Sequence, residues 1–230
     1  MGKVIVITGA GDGLGRALAR RFAKDGETVI LLGRTLSKVE AVANEIGAPH
    51  VAIECDVANP QSVEAAFAQI AKSFDHIDVL INNAGIYTPF NLSEAVPSTV
   101  QDIININFAG PVYCSQQALP LLQKAGGQIL NVTSESSHIK IPMLWLYASS
   151  KAAVELMGDM WAQELTPLGV RVTSVRAGQM YDETKTGSGW PMDVSIRFGE
   201  ACAKVGLNPR ERGVTHYNNV TDAFRSIIDM

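Results

Sequence analysis

A chain of 230 residues with 47% hydrophobic content can cover one central sheet with helices on both faces, which predicts a single α/β domain over residues 1–230. The formal net charge of −4 is spread without a basic run, so the electrostatic footprint of phosphate-backbone binding is absent and nucleic acid is not an expected partner. Cys55, Cys114 and Cys202 lie far apart without CxxC spacing, which argues against a disulfide framework or a structural metal site.

No charged leader with a long apolar core precedes the first strand, and no apolar run reaches bilayer length. A soluble, cytoplasmic protein without a membrane partner is expected.

Residues 4–7 form an apolar, β-branched run suited to a strand buried on both faces. The turn Gly9-Ala10-Gly11-Asp12-Gly13-Leu14-Gly15 follows and opens a helix over 13–24. Its glycines leave the backbone bare for a tight turn and for close approach of a phosphate, and the first helical amides point at that anion. A dinucleotide pyrophosphate is therefore expected against this turn.

Strand 28–32 ends at Gly33-Arg34. Gly33 stands where an acidic residue would hold the adenosine ribose, and the planar cation of Arg34 suits a 2′-phosphate. NADP(H) is favoured on that ground, although Asp12 sets a negative charge in the glycine turn and NAD(H) stays possible. Helix 37–46 leads to strand 50–54, whose end brings Asp56 and Val57 to the adenine side. Helix 61–73 and strand 79–81 follow, then Asn82-Asn83-Ala84-Gly85. Asn and Gly suit the stop of a strand, and their small size lets the backbone approach the adenine ribose.

A helix over 98–124, a strand over 128–132, a helix over 147–165 and a strand over 170–175 continue the alternation. Residues 177–217 are rich in Gly, Thr and Ser and read as a loop or lid over the site. A last helix, 218–230, has no strand after it. The alternation predicts a doubly wound parallel sheet of about six strands, with ligands at its carboxyl edge.

Tyr147-Ala148-Ser149-Ser150-Lys151 sets a phenol and an ammonium one turn apart on a helix face. Tyr181 and Lys185 repeat that spacing, so spacing alone does not decide. The first pair has Ser134 thirteen residues upstream, closing a strand, where the second has Leu168. Asn107 adds a side-chain amide on the preceding helix.

With Thr8 through Gly15, Asn82 through Gly85, Asn107 through Gly110, Ser134 and Tyr147 through Lys151 in this order, the chain resembles the classical short-chain dehydrogenase/reductase family over nearly its whole length. The resemblance implies a Rossmann domain, a nicotinamide cofactor and an Asn107, Ser134, Tyr147, Lys151 tetrad acting on a small carbonyl or alcohol. Tyr147 would be the general acid/base of a reversible hydride transfer. A cation about 4 Å from the phenol contributes up to ~4 kcal/mol at an effective dielectric near 20, so Lys151 could lower the phenol pKa by two to three units. Ser134 would hold the substrate oxygen, and Asn107 would position a water that connects Lys151 to solvent. Tyr147, Lys151 and Gly178 join the cofactor contacts.

Two features depart from the family. Ala177-Gly178 replaces its Pro-Gly pair, and Asp182 stands where a threonine meets the nicotinamide carboxamide, with Thr184 near enough to substitute. The usual last strand is also missing. A homodimer through helices 98–124 and 147–165 is expected. Met143, Leu144, Trp145, Trp190, Met192 and Phe198 suggest an apolar substrate pocket. The rival reading is a dinucleotide-binding sensor or scaffold that has lost its chemistry.

Overall fold

A computed structural model describes residues 2–181, 189–208 and 211–230. Asp182, Thr184 and Lys185 lie outside the described residues.

Strands β1 (Val4–Thr8), β2 (Thr28–Gly33), β3 (Val51–Glu54), β4 (Val79–Asn82), β5 (Gln128–Ser134) and β6 (Arg171–Ala177) form one parallel sheet in the order β3-β2-β1-β4-β5-β6. Helices α1 (Gly13–Lys24), α2 (Leu36–Ile46), α3 (Pro60–Ser73), α4 (Pro97–Ile104), α5 (Gly110–Ala125) and α6 (Trp145–Leu165) connect them. The fold is the doubly wound α/β arrangement that the alternation predicts.

Residue alternation in β1 explains why its whole sequence is apolar. Val4 and Val6 join one core cluster, with α3 and α5 residues such as Phe67 and Leu122, while Ile5 and Ile7 join the other, with Leu18, Phe22 and Phe224. Ile5, Val6 and Ile7 are fully buried. Truncating such a side chain to Ala costs about 2–5 kcal/mol, because the sheet is packed from both sides.

Two expectations need correction. The helix expected over 98–124 is two helices: α4 ends at Ile104, a π-helical turn spans Asn105–Ala109, and α5 begins at Gly110. Pro111 lacks the N–H that would continue the regular ladder, so the backbone is rerouted at this point. The segment 177–217 is not simply a loop. It holds β7 (Gln179–Tyr181), α7 (Met192–Lys204) and β8 (Val214–His216), and β7 and β8 pair in parallel as a second small sheet. In α7 only Cys202 is buried and Met192 is 76% exposed, so its apolar period is faint in the sequence. Helix α8 (Tyr217–Ile228) packs on α1, and among the described residues no strand follows it.

Candidate active site

The carboxyl ends of β1 to β6 open onto a cleft of about 950 Å³. At its floor Gly9 and Gly13 take positive φ (66° and 52°), which an L side chain rarely tolerates. Asp12 caps α1, its Oδ1 accepting from the Gly13 amide at 2.7 Å. Thr8 Oγ1 accepts from the amides of Asn83 and Ala84, both at 3.0 Å. Asn83 Nδ2 donates back to the carbonyls of Thr8 (2.9 Å) and Gly9 (3.3 Å), so the ends of β1 and β4 are stitched together.

Most of the expected binding residues border this cleft. Gly9, Asp12, Gly13 and Leu14 line one wall; Gly33, Arg34, Asp56 and Val57 line the next; Asn83, Ala84, Gly85 and Gly178 complete the set. Gly11 and Gly15 do not border it. A Cβ on Gly11 would stand 2.9 Å from Lys38 Cβ, and one on Gly15 would stand 2.3 Å from the Gly9 carbonyl oxygen. Both glycines serve helix packing. A Cβ on Gly33 would meet Val39 Cγ1 at 2.7 Å, so Val39 occupies the space an acidic side chain would need.

Ser134, Tyr147 and Lys151 line the same cleft, and Asn107, close to Lys151 around Gly85, is fully buried. The Asn107 amide is occupied: Oδ1 accepts from the Ile86 amide at 2.8 Å, and Nδ2 donates to the Ile86 carbonyl (2.8 Å) and to Ser150 Oγ (3.1 Å). Its side chain therefore holds the loop after β4. Ser134 Oγ accepts from the Ser136 amide (3.2 Å) and from Ser136 Oγ (3.0 Å). With both lone pairs engaged, the Ser134 proton is left to donate, and the Tyr147 phenol oxygen is its neighbour.

The charges differ from the expectation. Burial raises the Tyr147 pKa, and the Ser134 hydrogen bond offsets that only in part; Tyr87 and Glu135 raise it further. Burial also lowers the Lys151 pKa to about 8, and its ammonium donates to the Val132 carbonyl at 2.8 Å. Burial is the largest influence on the phenol, and Lys151 is not among the groups that shift it.

The outer wall was only partly legible. Trp190 and Phe198 border the cleft as expected, joined by Tyr87: the Tyr87 ring lies 5.6 Å from Tyr147 and 5.5 Å from Trp190, and Trp190 lies 5.1 Å from Phe198. Leu144 also lines it, whereas Met143 and Trp145 line a separate shallow hollow and Met192 points to solvent. Trp145 is committed elsewhere, its Nε1 donating to the Phe90 carbonyl at 3.2 Å. Glu135 and Arg212, unexpected from the sequence, form a 2.6 Å ion pair in the cleft lining. Tyr217 reaches the glycine turn, its hydroxyl 3.3 Å from where a Gly13 Cβ would stand.

A family model described as short chain dehydrogenase matches residues 3–189. The chain belongs to the short-chain dehydrogenase/reductase family. Among its relatives, a meso-2,3-butanediol dehydrogenase from Serratia marcescens is 34% identical over 202 residues, covering 87% of this chain and 80% of that protein. An uncharacterised oxidoreductase from Staphylococcus aureus is 32% identical over 193 residues, covering 83% of each. Among solved structures of the short-chain dehydrogenase/reductase fold, a 3-ketoacyl-(acyl-carrier-protein) reductase from Brucella melitensis complexed with NADH superposes with a TM-score of 0.82 at 28% identity, covering 97% of this chain and 89% of that one.

Proposed function

We propose that this short-chain dehydrogenase/reductase is an NAD(P)(H)-dependent oxidoreductase that interconverts a ketone and a secondary alcohol, with residues 1–230 acting as one dinucleotide-binding unit in the cytoplasm. The observation that carries the reading is that Ser134, Tyr147 and Lys151 line the same cleft as the Gly9–Gly13 turn. The residues fit a dinucleotide. Gly85 keeps open the space beside Lys151, since a Cβ there would lie 3.4 Å from both Lys151 Nζ and Asn107 Oδ1. The neighbour complexed with NADH supports the same cofactor class.

When bound, the nicotinamide supplies or accepts the hydride. Tyr147 gives its proton to the carbonyl oxygen in reduction and recovers it in oxidation. Its raised pKa keeps the phenol protonated at neutral pH, which suits reduction. Ser134 donates to the same substrate oxygen and orients it. Lys151, anchored on the Val132 carbonyl, carries positive charge into the cleft lining. Asn107 fixes the loop that bears Ile86 and Tyr87.

Gly33 with Arg34 supports NADP(H) over NAD(H), since Val39 fills the space for a carboxylate and Arg34 lines the cleft. The aromatic wall of Tyr87, Trp190 and Phe198 supports a neutral, apolar substrate, because the Glu135 and Arg212 charges satisfy each other. Leu156 and Met160, 65% and 62% exposed on α6, support a homodimer through that helix. Among the described residues no helix is long and apolar enough to cross a membrane.

Fluorescence titration with NADPH and NADH, followed by turnover of cyclohexanone, acetophenone and butane-2,3-dione by wild type and Tyr147→Phe, tests the reading. Tight NADPH binding with Tyr147-dependent turnover supports it. Binding with no turnover of any carbonyl favours the sensor reading. Sedimentation of a monomer only, at micromolar concentration, removes the dimer.

A further inference from the structure

Helix α6 carries a third polar group on the face of its two candidate site residues. Tyr147, Lys151 and Glu155 follow one another at intervals of four residues, on successive turns of one face. The Glu155 side chain is only 16% exposed and is fully engaged. Its Oε1 receives Arg176 Nε at 2.8 Å and Arg176 Nη2 at 2.7 Å from β6. Its Oε2 receives Ser137 Oγ at 2.8 Å and lies 3.2 Å from His138 Nε2.

Ser137 connects this carboxylate to the candidate site. Its hydroxyl stands 2.6 Å from the Ser134 carbonyl as well as 2.8 Å from Glu155, so one proton is shared by two acceptors in a three-centre bond. That bond ties the last residue of β5 to α6. Between them runs a 3-10 turn, Glu135–Ser137, whose Ser136 supplies both hydrogen bonds to Ser134 Oγ. The direction of the Ser134 proton therefore depends on how the turn sits, and Glu155 holds it through Ser137 and His138.

We propose that Glu155 is a positioning residue for the Ser134 hydroxyl, acting through Ser137. The inference rests on the reading of Ser134 as donor to the substrate oxygen. An apolar residue would anchor α6 equally well without the desolvation cost of a carboxylate. A carboxylate with fixed partners adds direction, and direction is what Ser134 needs. Arg176 supplies the compensating charge.

Two readouts test the proposal. Turnover of the best ketone in the panel is measured for Ser137→Ala, Glu155→Gln, the Ser137→Ala/Glu155→Gln double variant, Ser137→Thr and Ser134→Ala, with NADPH affinity measured alongside. In parallel, [13C]tyrosine-labelled, ligand-free protein is titrated by NMR, with the Tyr147 signal assigned from Tyr147→Phe. Ser137→Ala and Glu155→Gln are expected to lower kcat about tenfold, since misdirection of a positioned donor acts on the chemical step. NADPH affinity stays within about twofold, Ser137→Thr recovers wild-type kcat, and the double variant is no worse than either single one, as expected for residues that share one path. The Tyr147 titration moves to higher pH in Ser137→Ala and Glu155→Gln, as it does in Ser134→Ala, because the phenol loses its hydrogen-bond donor.

Unchanged kcat and an unchanged Tyr147 titration in both variants overturn the proposal, as does a fall in NADPH affinity that accounts for the whole loss. If Glu155→Gln does not fold, Ser137→Ala decides alone. Ser134→Ala with wild-type turnover overturns the functional reading instead. An inactive Ser134→Ala beside an unaffected Ser137→Ala, with its Tyr147 titration unmoved, overturns only the part given to Glu155.

Discussion

The Lys151 ammonium is bonded to the Val132 carbonyl at 2.8 Å, two residues short of Ser134 on the same strand, and burial lowers its pKa to about 8. A lysine in the unfolded chain titrates near 10.4, so between about pH 8 and pH 10 the unfolded chain binds the extra proton. The stability penalty is thus fully present below pH 8 and fades as pH rises through that window. Lys151→Met removes the group. Its stability relative to wild type is expected to be greater at pH 7 than at pH 10, by up to about 3 kcal/mol from the size of the shift. Denaturant melts of both proteins at the two pH values measure this, and a pH-independent difference would contradict it.

Tyr147→Phe is expected to lower ketone reduction by about 10³ and leave NADPH affinity unchanged, since it removes one oxygen from the general acid. For wild type, the raised Tyr147 pKa keeps reduction flat through neutral pH and makes it fall only on the alkaline side. Alcohol oxidation rises over the same alkaline range. Steady-state pH profiles in both directions check the opposite slopes.

Arg212 masks the Glu135 carboxylate at 2.6 Å, and Glu135 in turn raises the Tyr147 pKa. Arg212→Met is expected to move the alkaline limb of reduction to higher pH, and Glu135→Gln to move it lower. Coincident limbs in the two variants would rule out this coupling.

At the adenosine end, Arg34→Ala is expected to weaken NADPH binding about tenfold or more and leave NADH binding nearly unchanged, as for loss of one phosphate-pairing cation. Gly33→Asp alone does not create an NADH enzyme, because its Cβ meets Val39 Cγ1 at 2.7 Å. Gly33→Asp combined with Val39→Ala is the variant that gains NADH affinity. Titrations with both cofactors separate these outcomes.

The sheet was legible because its central strands β1, β4 and β5 are buried on both faces, so apolar runs such as Val4 to Ile7 mark it directly. Ser134, Tyr147 and Lys151 were legible through their spacing, which a strand end and a helix face preserve in space. Side-chain partners were not. No spacing in the sequence announces that the Asn107 amide bonds Ile86 and Ser150. Gly11 looked like a phosphate contact, though α2 crosses over it, and no sequence spacing records a helix crossing. Arg212 lies far from Glu135 in sequence and carries no local pattern that announces their pairing.

The stitch between Thr8 and Asn83 bears on how fast a ligand can load. Thr8 Oγ1 takes two successive amides and Asn83 Nδ2 gives to two successive carbonyls, all within the protein. The β1 and β4 ends of the cleft thus have their shape before anything enters. Association with this end of the cleft is then set by diffusion and orientation, and differences in affinity between dinucleotides arise in how slowly each one leaves.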